Sequence, residues 1–147
     1  GAPYVRPVAE ALRDLGAEKA LVVHGTDGMD EITVTDKTLV ADVSEGEIVE
    51  YEISPEDFGL PRHSPDGLLG GDAHLNARVL RDILTGEERG ASRDIVLLNA
   101  GAAIHVSGRA RSIEEGVRLA RDAISDGAAA TALQDFIKTT RRLSGTV

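Results

Sequence analysis

The stretch LVVHGTDGMDEI, residues 21–32, decides the fold, because an apolar strand here runs into an acidic loop that contains two glycines. Residues 20–23 form a short apolar run that is typical of a buried parallel strand, and this run stops at His24 and Gly25. The loop therefore leaves the carboxyl end of the strand, which is where open α/β sheets bind ligands. Gly25 and Gly28 both allow a positive φ angle, so the loop is expected to fold tightly.

The acidic residues of this loop are candidate metal ligands. A tight fold would bring Asp27, Asp30 and Glu31 near one another. Asp30 and Glu31 can bind one ion only if they lie in the turn before the next strand, since neighbouring residues of a strand point to opposite faces. Mg²⁺ typically takes one or two protein carboxylates, keeps several waters and binds substrate phosphates. The alternative is a solvated acidic turn, because Asp and Gly are common in turns for backbone reasons alone.

The composition predicts one soluble globular domain. The chain has 147 residues, of which 41% are hydrophobic and 28% charged, and aromatic residues make up only 3%. A core of Leu, Val, Ile and Ala is therefore expected, at a size that buries roughly 68–70% of the unfolded surface. The net charge of −9 disfavours nucleic acid and anionic membranes as partners. The absence of cysteine excludes disulfides and Cys-ligated metals, and the lack of a signal sequence or a roughly 20-residue apolar run predicts a cytoplasmic protein.

The first helix and strand predict an α/β fold, and the sequence is expected to begin in the middle of that fold. Residues 5–15 carry apolar side chains at a period of 3.6 residues, with Pro7 in the first turn, which predicts a helix that ends at Gly16. This helix and the strand after it form half of a βαβ unit whose first strand would precede Gly1. We therefore expect residues 21–23 to have an unpaired side, through which the chain would form a homo-oligomer.

Three further strands are expected at residues 32–36, 38–44 and 47–53, where β-branched residues are frequent. The last two segments alternate apolar and polar residues around Glu45 and Gly46, which predicts a hairpin turn. Ser54 and Pro55 begin a helix of about one turn, and a loop follows at residues 59–71.

Helices are expected over the rest of the chain. The predicted segments are residues 73–84 capped by Asp72, residues 94–106, a helix that follows a capping box from Ser112 to Glu115, and residues 128–143 with Ala132, Leu133, Phe136 and Ile137 packed. The pair Gly70-Gly71 before the first of these helices could hold a phosphate, but a plain cap by Asp72 is the preferred interpretation.

Four blocks of sequence, taken in chain order, carry a family resemblance. They are VVHG and GMDEI within residues 22–32, GGDA, NA, IL and GE within residues 70–87, RDIVLLNA at residues 93–100, and the downstream residues Gly108, Gly116, Ala120, Ala123 and Ile124. In this order and spacing the blocks resemble the C-terminal part of anthranilate phosphoribosyltransferase, over nearly the whole chain. The resemblance implies an α/β domain of the nucleoside phosphorylase/phosphoribosyltransferase type. Its mixed sheet with flanking helices would be incomplete relative to the full domain of the family.

The function that this resemblance implies is a step of tryptophan biosynthesis, in which the phosphoribosyl group of phosphoribosyl pyrophosphate is transferred to the amino group of anthranilate. Asp30 and Glu31 match the acidic pair that holds Mg²⁺ on the pyrophosphate. The family's Gly-Thr-Gly-Gly-Asp phosphate loop, its Lys-His-Gly-Asn segment and the arginine that seats anthranilate have no counterpart in residues 1–147. The resemblance therefore implies a single-domain fragment that is inactive without the missing N-terminal region.

Two further hypotheses stay open. One is a non-catalytic homologue or binding module of the same fold, in which residues 141–142 could form a basic patch, and the other is a domain that assembles through its sheet edge. His24 could face a ligand or bond to backbone groups. No metal-ligand spacing links the remaining histidines, which are His63, His74 and His105.

Overall fold

The computed structural model describes residues 1–145, in which five α-helices flank one three-stranded sheet. The elements, in chain order, are α1 (Val5–Asp14), β1 (Lys19–Gly25), β2 (Thr38–Ser44), β3 (Glu47–Ile53), α2 (Ala73–Leu84), α3 (Ala91–Val106), α4 (Ile113–Ser125) and α5 (Ala128–Leu143). Short 3-10 turns lie at Ala2–Tyr4, Pro55–Phe58 and Pro65–Leu68. The predicted α/β architecture with flanking helices is confirmed. None of the helices in residues 1–145 is long and apolar enough to cross a membrane.

The sheet has the order β1-β2-β3 and is antiparallel throughout the described residues. The register pairs Gly25 of β1 with Thr38 of β2, and Thr38 in turn with Ile53 of β3. The predicted hairpin between β2 and β3 is confirmed, with φ angles of 53° at Glu45 and 83° at Gly46. The expectation of a buried parallel strand is wrong for β1, which pairs with β2 alone and is half-buried over most of its length.

The apolar run of β1 has a simple cause, since each face of the sheet is covered by helices. On one face, α1 buries Val5 and Ala9 against Ala41 and Val43 of β2. The main core lies on the other face, where α3 and α4 pack over the sheet; it includes Ile32, Val34, Val40, Ile53, Leu97, Leu98 and Val117. Successive β1 side chains enter these two cores alternately, so an edge strand has the apolar composition expected of a central one.

The helices α3 and α4 are in direct backbone contact. A Cβ atom added to Gly101 would lie 2.6 Å from the backbone nitrogen of Val117, and one added to Gly116 would overlap the carbonyl oxygen of Gly101. Glycine is therefore needed at both positions because a side chain would separate the two helices. This contact fixes α3, which in turn positions the loop described below.

Most helix ends lie where the sequence predicts them. Asp72 Oδ1 accepts the Leu75 N–H at 2.8 Å at the start of α2, and Ser112 Oγ accepts the Glu115 N–H at 3.1 Å at the start of α4. The capping box of α4 is only half formed, because the Glu115 carboxylate accepts the Arg111 N–H at 2.8 Å instead of that of Ser112. Helix α3 begins three residues before the predicted position 94.

The strand predicted at residues 32–36 does not form. Ile32, Thr33 and Val34 are buried as a strand would be, but side chains satisfy the backbone of this segment. The Thr33 N–H donates to Thr38 Oγ1 at 3.1 Å, and the Thr35 N–H donates to Thr33 Oγ1 at 3.0 Å. Hydroxyl groups thus take the place of a neighbouring strand, which is the local competition with sheet pairing that Ser and Thr commonly provide.

The packing predicted for α5 is only partly right. Leu133 and Ile137 are half-buried, whereas Ala132 is exposed and Phe136 is 69% exposed. The helix touches the rest of the fold through α2 and α4. Positions i and i+4 therefore contact these helices while the flanking positions of the predicted stripe face solvent.

Candidate functional site

The acidic loop, residues 26–37, leaves the carboxyl end of β1 and leads into β2. Its turn is closed by the Gly25 N–H, which donates to the Met29 carbonyl at 2.9 Å, and by the Gly28 N–H, which donates to the Gly25 carbonyl at 2.9 Å. The Thr26 N–H donates to the Lys37 carbonyl at 2.8 Å and joins the two ends of the loop. The loop is therefore a closed turn with a fixed path.

The two glycines have different roles. Gly28 has the expected positive φ angle, 100°, but Gly25 is not among the residues with positive φ, so that part of the prediction is wrong. Gly25 is needed for space, since a Cβ atom there would collide with the Asp27 carboxylate and lie 3.1 Å from Thr33 Cγ2.

Asp27 forms hydrogen bonds within the loop and is not part of the Asp30–Glu31 pair. Its carboxylate accepts the Thr33 hydroxyl at 2.6 Å, the Thr35 hydroxyl and the Met29 N–H at 3.1 Å. Burial alone would raise the pKa of Asp27, but the hydrogen bonds from Thr33, Thr35 and Met29 outweigh it and hold the pKa below its usual value. Asp27 is thus committed to structure.

Asp30 and Glu31 lie side by side at the outer part of the loop, and both are exposed. Although the Glu31 side chain is exposed overall, partial desolvation of its carboxylate and the negative charge of Asp30 raise its pKa above the usual value. Within residues 1–145, neither carboxylate takes part in a hydrogen bond or ion pair. The two carboxylates therefore repel each other without a compensating cation from residues 1–145.

Asn99 of α3 holds the residue that follows this pair. Its Oδ1 accepts the Ile32 N–H at 3.0 Å, while its Nδ2 donates to the Ile32 carbonyl at 2.8 Å and to the Ile95 carbonyl at 2.9 Å. The local sequence around Ile32 does not reveal this contact, because Asn99 lies 67 residues away. In the sequence, Asn99 stands out only as part of the RDIVLLNA block.

The histidines do not extend the acidic pair into a larger cluster. Among residues 1–145, no group of three or more His, Cys, Asp or Glu side chains could hold a metal ion. His63 Nε2 lies 2.8 Å from the Asp94 carboxylate, which also pairs with Arg93 at 2.6 Å, and His105 Nδ1 lies 3.0 Å from a backbone carbonyl. The Arg93–Asp94–His63 cluster contains neither Asp30 nor Glu31, and no spacing in the sequence predicts it.

The glycine pair before α2 is arranged as a plain helix start. The Gly71 N–H donates to Asn76 Oδ1 at 2.9 Å, and Asn76 Nδ2 donates to the Gly71 carbonyl at 3.0 Å. This N–H is therefore not free to bind a phosphate, and the Asp72 cap that the sequence favoured is confirmed.

The chemistry of the acidic pair fits a hard divalent cation. Carboxylate oxygens are preferred ligands of Mg²⁺, which binds one or two protein carboxylates and completes its shell with water and phosphate. A cation between Asp30 and Glu31 would relieve the repulsion that, together with the larger effect of desolvation, raises the pKa of Glu31. The pair would leave most coordination positions open, as a site that binds a metal–phosphate complex requires.

A comparison with protein families agrees with this fold. The profile of the glycosyl transferase family, a/b domain, matches residues 2–130, and the chain belongs to this family. The resemblance to anthranilate phosphoribosyltransferase that the sequence blocks indicated is also confirmed. The chain is 72% identical over 144 residues to the anthranilate phosphoribosyltransferase of Rubrobacter xylanophilus, and the match covers 98% of this chain and 42% of that protein.

Solved structures of anthranilate phosphoribosyltransferases also share this fold. The anthranilate phosphoribosyltransferase of Thermus thermophilus superposes with a TM-score of 0.87 at 38% identity, over 96% of this chain and 41% of that one. The Saccharomyces cerevisiae enzyme in complex with PRPP and Mg shares the fold, with a TM-score of 0.84 at 24% identity, over 94% of this chain and 40% of that one. The chain thus spans about two fifths of the length of these relatives.

Proposed function

We propose that this chain supplies the metal-binding share of an anthranilate phosphoribosyltransferase, with Asp30 and Glu31 holding Mg²⁺ on the pyrophosphate of phosphoribosyl pyrophosphate. The observation that carries the proposal is the exposed pair of adjacent carboxylates, which has no partner in residues 1–145 and lies on a closed loop at the end of β1. Membership of the family and 72% identity to an enzyme of that name support the choice of reaction.

The carboxylates have a defined task in such a reaction. When the bond from the anomeric carbon of ribose to pyrophosphate breaks, negative charge accumulates on the pyrophosphate oxygens. Mg²⁺, when bound, stabilises this charge more in the transition state than in the ground state. Asp30 and Glu31 orient the metal–pyrophosphate unit, while Asp27 keeps the loop closed from inside. The proposal thus assigns the holding of the leaving group to the acidic loop.

We expect no transferase activity from the chain alone. The resemblance assigns the phosphate loop and the anthranilate-seating arginine to sequence outside residues 1–147, and the chain spans 42% of its Rubrobacter relative. Orientation of two substrates supplies a large part of the rate in such reactions. The functional partners would be the missing N-terminal region, phosphoribosyl pyrophosphate and anthranilate, in the cytoplasm.

The test is complementation. The chain is mixed with the remaining part of the Rubrobacter enzyme, and formation of phosphoribosyl-anthranilate is followed with Mg²⁺ present. We expect activity only in the mixture, and a loss of at least about 100-fold with Asp30→Asn, because the lost metal contact is worth several kcal/mol in the transition state. Lys37→Gln, which removes a surface ion pair of the same loop with Glu52, is the matched control and should retain activity.

Two outcomes would contradict the proposal. Turnover by the chain alone that Asp30→Asn abolishes, in a preparation free of full-length enzyme, would show that the described residues contain a complete site. A mixture that is active but insensitive to both Asp30→Asn and Glu31→Gln would show that the pair holds no metal, and the chain would then serve as a binding or assembly module.

A further inference from the structure

The Asn99 side chain binds both backbone groups of Ile32 in the acidic loop, as a neighbouring strand would. Its side-chain amide donates to the Ile32 carbonyl and accepts from the Ile32 N–H. The second hydrogen of Nδ2 is donated to the Ile95 carbonyl at 2.9 Å. These three hydrogen bonds together fix the orientation of the Asn99 amide. Asn99 is half-buried and Ile32 is only 2% exposed, which strengthens these hydrogen bonds relative to the surface.

This contact acts directly on the acidic pair. The Ile32 N–H belongs to the same planar peptide unit as the Glu31 carbonyl, so the Asn99 bond fixes the plane that follows the Glu31 Cα atom. On the other side of the pair, the Met29 N–H is bound by Asp27 and the Met29 carbonyl by the Gly25 N–H. The backbone is therefore held on both sides of Asp30 and Glu31, while their side chains remain free to bind.

We propose that Asn99 is the positioning residue of this site: through the Ile32 backbone it fixes the segment that carries the two repelling carboxylates, and so prepares the loop to bind one divalent cation. This inference rests on the proposed function, since it assumes that the pair binds a metal. Without Asn99, the segment after Glu31 loses both of its backbone hydrogen bonds to α3. In that case the loop must become ordered when it binds the cation, and this ordering weakens binding. With Asn99 present, the loop is already ordered in the folded chain.

The experiment measures metal binding without turnover. Mn²⁺, an oxygen-preferring paramagnetic ion, is titrated into the 147-residue chain, and the broadening of backbone amide signals is followed by NMR. This readout detects a weak site. We expect signals of residues 29–33 to broaden first, and Asn99→Leu to weaken the apparent Mn²⁺ affinity by about tenfold, as loss of outer-shell support typically does. Signals far from the loop should keep their wild-type positions.

Asn76→Leu is the matched control. Asn76 makes the same two-way bond to a backbone, with Gly71, but it lies in the first turn of α2, and its side-chain bonds stay at the start of that helix. Asn76→Leu should leave the Mn²⁺ affinity unchanged. If the loss of any backbone-bound amide weakened Mn²⁺ binding, this variant would bind more weakly as well. Asn99→Gln, which retains the amide but shifts it by one methylene group, replaces the leucine variant if that variant does not fold, and it should also bind Mn²⁺ more weakly.

The outcomes separate the two proposals. If Asp30→Asn weakens Mn²⁺ binding but a folded Asn99 variant does not, the positioning role is overturned and the proposed function stands. If Mn²⁺ fails to broaden residues 29–33, or Asp30→Asn leaves binding unchanged, the pair is no metal site and both proposals fail. Weakening by Asn99→Leu together with unchanged binding by Asn76→Leu supports the inference.

Discussion

Replacing Asp27 by Asn should loosen the acidic loop without disturbing the fold. Asp27 accepts hydrogen bonds from Thr33 Oγ1 at 2.6 Å, from Thr35 Oγ1 and from the Met29 N–H at 3.1 Å. Asn presents one acceptor oxygen instead of two and carries no charge, so it cannot satisfy all three donors with comparable strength. Thr33 is only 1% exposed, and water therefore cannot replace the lost acceptor at its hydroxyl.

The expected cost follows from these contacts. Hydrogen bonds to a charged group contribute about 1.5–3 kcal/mol when buried. Because Asp27 itself is exposed, solvent screening reduces each to about 1 kcal/mol. With roughly one bond retained by Asn, the free energy of unfolding should fall by about 1–2 kcal/mol. Asp30→Asn is the control, since Asp30 has no such partner in residues 1–145, and it should change the free energy of unfolding by less than about 0.5 kcal/mol.

The pH dependence gives a second check. The folded pKa of Asp27 lies below its usual value, so its stabilisation is fully present above the unfolded pKa of about 3.9 and is lost as the pH falls through the folded pKa. Urea unfolding followed by circular dichroism should thus show a constant difference between wild type and Asp27→Asn from pH 7 to about pH 5 that narrows below about pH 4. Equal unfolding free energies at pH 7, or a difference that widens in acid, would refute this account of the loop.

Three other outcomes are expected. The pKa of Glu31 should fall in Asp30→Asn, because the Asp30 charge adds to burial in raising it, and an NMR titration that shows no fall would contradict this. Gly116→Ala should lower the free energy of unfolding by about 2 kcal/mol, since overlap with the Gly101 carbonyl outweighs the gain of about 1 kcal/mol in helix propensity; a more stable variant in urea would disprove the close helix contact. Light scattering over a dilution series should show self-association through the free edge of β1, and a strictly monomeric particle with well-protected β1 amides would exclude it.

Local signals in the sequence were sufficient for most of the helices. Asp72 and Ser112 make the predicted caps because an N-cap bond joins residues only three positions apart. The hairpin at Glu45 and Gly46 is likewise a local structure. These elements depend on residues that are neighbours in the chain, and periodicity and capping rules describe such neighbours directly.

Bonds from side chains to the backbone or to other side chains, one of them long-range, explain the errors. Residues 32–36 have strand composition, but their backbone is bound by Asn99, 67 residues away, and by Thr38, and neither contact leaves a pattern in the segment itself. The location of Asp30 and Glu31 together in a turn was predicted, whereas the hydrogen bonds of Asp27 to Thr33 and Thr35 were missed. The Thr33-x-Thr35 pattern that follows the turn was the available signal, because two hydroxyls on alternate residues can converge on one carboxylate.

The groove beside the edge strand connects the fold to the site. A largely apolar groove of about 490 Å³ lies between β1 and α3, and its lining includes Leu21, Val23, Ile32 and Asn99. Both partners of the backbone contact that holds the acidic pair therefore form part of the groove wall. A segment that packs into the groove beside the unpaired edge of β1 would shield this contact from water and strengthen it. If the complementing region packs there, we therefore expect the Mn²⁺ affinity of the acidic pair to rise when the chain is complemented. Equal affinities with and without the complementing region would mean that the loop reaches its final geometry in the 147 residues alone.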